Sequence, residues 1–179
     1  MTSVPTLLRP VTASDLDLFE TEFSTEVGTG SWQWFGFTPM HGLRRRFAET
    51  GLLDADGGVL TVESDGVAVG RVEWFPSTWG RPATSSCWSI AAGLRASYRG
   101  RGIGTEAQQQ LTEYLFLHTR AQRVQAFTDV TNIAEQRALE KAGFEREGTV
   151  RSGQWRQGQW RDQVLYSILR EPAPSAGGK

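Results

Sequence analysis

Residues 97–107 read SYRGRGIGTEA, with three glycines interleaved with arginines where an apolar stretch gives way to a helix-forming one. No other segment restricts the fold as much. Glycine is costly inside regular structure, and Arg99 and Arg101 repel each other unless something negative lies between them. Alternation of Gly100, Gly102 and Gly104 removes three Cβ atoms and lets backbone N–H groups converge on one point. The segment then opens a helix, whose first N–H groups are unpaired and whose dipole end is positive. Backbone donors, a helix N-terminus and guanidinium groups together make a site for phosphate or pyrophosphate. The plain alternative is a glycine-rich turn with solvated arginines.

The flanking sequence alternates strands and helices. TLLRPV reads as a strand, and Ser14 as the cap of a helix, DLDLFETEF. STEVGTGSWQWFGFTP reads as a loop, and MHGLRRRFAETG as a second helix stopped at Gly51. GGVLTVESDGVAVGRVEWF is two strands joined at SDG, with Gly66 supplying positive φ. SSCWSIAAGL is a further strand, and the quoted loop leads into a helix from about Gly102 to Thr119. Its apolar positions Ile103, Ala107, Leu111, Tyr114 and Leu115 recur at helical spacing. After the strand RVQAFTDV, NIAEQRALEKAGF carries a full set of helix-end signals: Asn132 as cap, Glu135 in a capping box, Lys141 in the last turn, Gly143 as the left-handed stop. FEREGTVR and WRDQVLYSILR read as strands with QWRQGQW between them. Residues 1–171 are expected to form one mixed α/β domain, and 172–179 a flexible C-terminal tail.

The 179 residues carry a formal net charge of −1, which argues against a general nucleic-acid binder. Only Lys141 and Lys179 among the 19 basic residues are lysines; the rest are arginine, which favours planar, bidentate partners such as phosphate. The single cysteine, Cys87, excludes an internal disulfide and a Cys-rich zinc site, and no metal is expected. MTSVPTLLRP lacks the basic start and apolar run of a signal peptide, and no apolar stretch is long enough to span a bilayer. A cytoplasmic protein, monomer or homodimer, with no nucleic-acid or membrane partner, is the expectation.

Three phosphate-binding patterns compete for the loop. It lacks the Gly-Lys-Ser/Thr of a Walker loop. Its glycines run G-x-G-x-G, without the dinucleotide spacing or an acidic residue about twenty positions on. Arg-x-x-Gly-x-Gly after an antiparallel strand is what stands from Arg99 to Gly104. AAGLRASYRGRGIG resembles the acetyl-CoA-binding motif of the GNAT superfamily of N-acetyltransferases, and TNIAEQRALEKAGFEREGTVR resembles its next motif. GQWRDQVLYSIL and LLRPVTASDLDLF are similar to the branch containing RimJ and RimL, so the likeness runs from about residue 6 to 170. It implies an α/β (α+β) GNAT-like fold, with a mixed, mostly antiparallel central sheet flanked by helices. It also implies acetyl-CoA as co-substrate. In that arrangement the backbone of Ala92 and Leu94 would meet the pantetheine arm, and an N–H near Ala92 would polarise the thioester carbonyl. The loop from Arg99 through Ile103 would hold the pyrophosphate on the N–H groups of Arg101, Gly102, Gly104 and Thr105. Asn132 would bond the pantetheine, or would only cap its helix.

The reaction implied is attack of a neutral amine, on a protein N-terminus or a small molecule, on the thioester. An α-amine of pKa ~8 is neutral in roughly one molecule in ten at pH 7, a lysine far more rarely, so the base required depends on the acceptor. Many relatives in the family place a thiolate-protonating tyrosine where Leu139 stands, and the RimL branch a serine where Glu135 stands. Neither of those groups is present here. Asp129, Glu73 and His41 are the candidate bases; each has a structural alternative, as turn stabiliser, arginine partner or helix-start residue. Cys87 reads as a packed side chain. SWQWFGF sets Trp32, Trp34, Phe35 and Phe37 where the family lines its acceptor site, suited to an apolar acceptor or a cation held on ring faces; the alternative is a plug for the core. LRRRF reads as a solvated face. Rival functions are an acyl-CoA-binding module without turnover, and an acyltransferase using another acyl-CoA or an O-nucleophile.

Overall fold

The computed structural model describes residues 5–171. The tail expected over residues 172–179 lies outside them. Strands β1 (Thr6–Pro10), β2 (Leu53–Asp54), β3 (Gly57–Ser64), β4 (Val67–Thr78), β5 (Ser86–Leu94), β6 (Arg123–Asp129), β7 (Glu145–Arg156) and β8 (Gln159–Leu169) alternate with helices α1 (Ala13–Phe23), α2 (Glu26–Thr29), α3 (His41–Thr50), α4 (Pro82–Ser85), α5 (Ile103–His118) and α6 (Ile133–Lys141). A single 3-10 turn, Ala96–Tyr98, precedes α5. The strands form one sheet in the order β1-β3-β4-β5-β6-β8-β7, with β2 on β3. Every pairing is antiparallel except β5 with β6.

Strand alternation sorts side chains onto two faces. Leu60, Val62, Val72, Trp74 and Ile90 turn toward α5, whose Ile103, Ala107, Leu111 and Leu115 complete that core with Leu139 of α6. Val59 turns the other way, onto Leu16 and Phe19 of α1, with Leu43 and Phe47 of α3 against them. Thr61 shares that second face, donating its hydroxyl to Asp15 at the start of α1. Arg71 and Glu73 pair across from Thr61 and Val59, so they too face α1 and α3. This places a cation and an anion on the sheet where the smaller core ends.

Helix ends follow local chemistry, with one correction. Thr12, not Ser14, caps α1, in a reciprocal capping box with Asp15. Gly51 ends α3 in the left-handed conformation as the sequence indicates. Asn132 caps α6 by accepting from the Glu135 N–H. Gly143 (φ 93°) ends that helix, with Phe144 N–H returning to Leu139 O. A second correction concerns QWRQGQW. It is a hairpin tip: β7 runs to Arg156, β8 starts at Gln159, and Gln157 and Gly158 (φ 50° and 79°) make the two-residue turn. The sequence read as loop between α1 and α3 contains the one-turn helix α2. Among the described residues no helix is long and apolar enough to cross a membrane.

Candidate functional site

The two parallel strands meet over only two residue pairs, Trp88 with Val124 and Ser89 with Gln125. Beyond them β5 stays with β4 as far as Leu94, and β6 stays with β8 as far as Asp129. The sheet therefore splits, and β5 is left with one unpaired edge. Ala92 O accepts from Gln33 Nε2 at 2.8 Å and Leu94 O from Arg99 Nε at 2.9 Å. Backbone groups two residues apart on a strand point the same way. Both residues thus turn N–H and C=O into the split.

A cleft of about 380 Å³ fills the split, lined by Ala92, Gly93, Leu94, the loop glycines Gly100, Gly102 and Gly104, Thr105, and one face of α6. Gly102 is the N-cap of α5, in the left-handed conformation, and brings no side chain to the first-turn donors. Its φ of 85° explains that glycine, and the φ of 74° explains Gly100. Gly104 is different. A Cβ there would meet only Leu94 Cδ1, at 3.6 Å, so protein packing does not call for glycine. The missing side chain instead keeps the N–H groups of the helix start open to the cleft, a geometry that fits a phosphate oxygen.

The other residues of the loop divide by role. Arg99 lines the cleft, but its guanidinium is engaged: it donates to Leu94 O, to Thr29 O at 3.2 Å, and to Gly28 O. It binds the loop to α2. Arg101 lies over the Tyr98 ring, 5.2 Å from its centroid. Ile103 is buried in the main core and anchors the start of α5. Asn132 lines the cleft while capping α6, so both readings of it are compatible.

A second cleft of about 570 Å³ opens on the α1–α3 face. It shares Thr29, Gln33, Ala92 and Gly93 with the first, so the two meet at the end of β5. Trp34 and Phe35 line it with Phe23, Met40 and Leu43. Phe37 packs edge-on against Trp34 and is otherwise exposed. Trp32 stands apart on the first cleft, with its Nε1 donating to Thr131 Oγ1 at 3.1 Å.

Of the candidate bases, Asp129 is the one the geometry turns against. Its carboxylate is buried, accepts from Thr131 N and Oγ1 at 2.8 and 2.6 Å, and forms an ion pair with buried Arg156. Burial pushes its pKa up, but the Thr131 and Arg156 hydrogen bonds outweigh that and hold it below the ordinary carboxylate range. An acid so held is a poor proton acceptor, and neither cleft includes it among its walls. Arg156 also donates to Trp32 O at 3.1 Å, so the pair fastens the aromatic loop to the sheet. Nothing local in the sequence signals Arg156, because its partner is 27 residues away and it lies in QWRQGQW, between the two expected strands.

Glu73 lines the second cleft and, among the described residues, makes no hydrogen bond or ion pair. His41 begins α3, exposed and outside both clefts. Cys87 is buried, and burial pushes its thiol up, as packing alone would have it. Leu139 is wholly buried in the main core. No tyrosine among the described residues lines either cleft; Tyr166, the most buried, donates to Glu140 and is pushed up to about 12 by burial and that carboxylate. Glu135, half-buried in the first cleft, is pushed up to about 7 by burial, with Gln108 opposing. The sequence marked its position but gave no sign of that shift. The described residues contain no group of His, Cys, Asp and Glu able to hold a metal ion.

A family model described as Acetyltransferase (GNAT) domain matches residues 6–145. No curated protein matches the sequence. Among solved structures, a ribosomal-protein-alanine N-acetyltransferase from Brucella melitensis is similar, with 20% identity and a TM-score of 0.74, over 92% of this chain and 99% of that one. RimJ of Mycobacterium smegmatis, in complex with CoA-disulfide, has 24% identity and a TM-score of 0.74, over 92% and 81%. Spermidine N-acetyltransferase from Vibrio cholerae, in complex with CoA and spermine, has 17% identity and a TM-score of 0.76, over 92% and 95%. At these identities the likeness is one of fold.

Proposed function

The chain belongs to the GNAT acetyltransferase family, and from that premise we propose that it transfers the acetyl group of acetyl-CoA to a primary amine. The observation that carries this reading is the uncapped start of α5 opening onto the unpaired edge of β5. N–H groups from Arg101, Gly102, Gly104 and Thr105 would hold the pyrophosphate. The edge of β5 at Ala92 and Leu94 would hold the pantetheine arm as a further strand would be held, with Asn132 beside it. Acetyl-CoA, when bound, supplies a thioester carbonyl activated by its sulfur.

The protein's own residues then divide the proton work. Glu73, an unpartnered carboxylate across β4 and β5 from that edge, takes a proton from the acceptor ammonium, directly or through water. The neutral nitrogen attacks the carbonyl carbon; the C–N bond forms as the C–S bond breaks, and the Ala92 N–H stabilises charge on the oxygen. Glu135, with its pKa near 7, is protonated in about half the molecules at neutral pH and can return a proton to the departing sulfur. Ammonium and thioester thus give amide, thiol and one released proton. Asp129 has a positioning role in this scheme, because its oxygens are already committed to Thr131 and Arg156.

Thiol release from acetyl-CoA with a panel of primary amines, with products weighed by mass spectrometry, tests the reading. Turnover that falls about 100-fold in Glu73→Gln and recovers as pH rises is the expected result. A second reading, a CoA-binding module without turnover, is favoured by the burial of Leu139, which leaves no phenol at the customary place. Tight CoA binding with no acetylated product from any amine would select it.

A further inference from the structure

We propose that the acceptor is a free α-amino acid with a large apolar side chain, read at both ends by Glu73 and Arg71. The inference rests on the acetyltransferase reading above and narrows its acceptor class. Arg71 and Glu73 are alternate residues on one face of β4, with Cα atoms about 6.7 Å apart at ordinary strand rise. Both line the second cleft, and both are half-buried. Across the ladder they face Gly93 and Ala91 of β5, whose minimal side chains put little over the sheet, with Gln33 and Phe23 reaching over Gly93. On the other side they face Thr61 and Val59.

Their pairing state is the second observation. The other cation on this cleft, Arg46, is bound to Asp54 at 2.9 Å. Arg71 has no carboxylate: its guanidinium lies 5.7 and 5.4 Å from the ring centroids of Phe19 and Phe23 and makes no ion pair among the described residues. The rings hold the guanidinium without hydrogen-bonding it, which leaves its donors for a ligand. A desolvated cation without a partner is costly, and a carboxylate presented in-plane satisfies it with two parallel hydrogen bonds. Glu73, likewise unpaired, accepts the ammonium.

The charges also decide between acceptor classes. A polyamine calls for several carboxylates, whereas among the described residues Glu73 is the only carboxylate on this cleft, and it stands beside an arginine. The amine of a peptide N-terminus satisfies Glu73 but offers Arg71 no charge at the α-carbon. A zwitterion matches both. Phe23, Trp34, Phe35, Met40 and Leu43 give the cleft an apolar wall that suits a large apolar side chain, with Ser24, Thr38 and Gln33 among its polar lining.

Steady-state thiol release with acetyl-CoA, comparing L-phenylalanine, L-phenylalaninamide, phenethylamine, spermidine and a short Phe-initiated peptide, tests it on the unmodified protein. The expected result is turnover with L-phenylalanine, and a kcat/KM lower by about 30-fold or more when the carboxylate is masked or removed. In Arg71→Gln the kcat/KM ratio of L-phenylalanine to its amide should fall toward one; Arg71→Lys should restore part of it. Equal rates for L-phenylalanine and its amide, or preference for spermidine or the peptide, would overturn the assignment of Arg71 while leaving the acetyltransferase reading intact. If no amine is turned over, calorimetric binding of L-phenylalanine and its amide in the presence of CoA decides the site separately. Binding of the acid but not the amide supports the zwitterion site without catalysis, and equal or absent binding refutes it.

Discussion

Two buried or half-buried acids, Asp129 and Glu135, have opposite linkage to pH, and each gives a prediction. Asp129 has a depressed pKa. Its contribution is therefore present above the unfolded value of ~3.9 and is lost as pH falls through the folded value. Asp129→Asn leaves the Arg156 guanidinium buried without its counter-charge, which typically costs about 3–5 kcal/mol. Thermal unfolding should show a large drop in Tm at pH 7 that shrinks toward pH 3. A variant with native Tm and lost turnover would instead return Asp129 to the proton-transfer role. Glu135 has a raised pKa, so between ~4.5 and about 7 the folded state holds the extra proton and stability falls as pH rises. Glu135→Gln should raise Tm by roughly 3 °C at pH 8, with little change at pH 5. Equal shifts at both pH values would show that its carboxyl is not desolvated. Neither behaviour was legible in the sequence. Asp129 was visible as the end of a strand, but its partner comes from another hairpin, and the burial of Glu135 depends on α5 lying over it.

The local elements were far easier to read, because their signals are short-range. Asn132, Glu135 and Gly143 announce α6, and Gly66 announces the β3–β4 turn, through chemistry that acts within a few residues. The β7–β8 hairpin escaped because its turn residue Gln157 takes a conformation usually reserved for glycine or asparagine, and because exposed Trp155 and Trp160 blur the alternation. The alternation of the loop glycines is visible in the sequence, but it does not separate Gly102, which the backbone requires, from Gly104, which it does not. That difference makes a prediction. Gly104 lies in the first turn of α5, where alanine is favoured by up to about 1 kcal/mol, and a Cβ there meets only Leu94. Gly104→Ala should therefore keep or raise Tm while weakening acetyl-CoA binding. A fall in Tm with unchanged affinity would mean that the glycine serves the fold. Arg99→Ala should show the reverse pattern, losing Tm through three freed carbonyls more than it loses affinity.

The architecture as a whole was legible through the resemblance of the glycine loop and its flanking motifs to the GNAT superfamily, whereas the order of strands and helices by itself implies only one mixed α/β domain. What the order alone does not give is the split between β5 and β6: they pair over two residue pairs, beyond which β5 continues only with β4 and β6 only with β8. That split sets the start of α5, the edge of β5 and the face of α6 around one cleft, and brings a second cleft with Arg71 and Glu73 to its inner end. Function, on this account, follows from the opening more than from any single side chain. Calorimetric titration of acetyl-CoA into the native chain and into Gly104→Val, with Tm recorded for both, tests that account most directly. One site per chain is predicted, with an affinity about 30- to 1000-fold weaker in the variant at nearly unchanged Tm. Absence of binding to the native chain, or equal affinity in the two proteins, would contradict it.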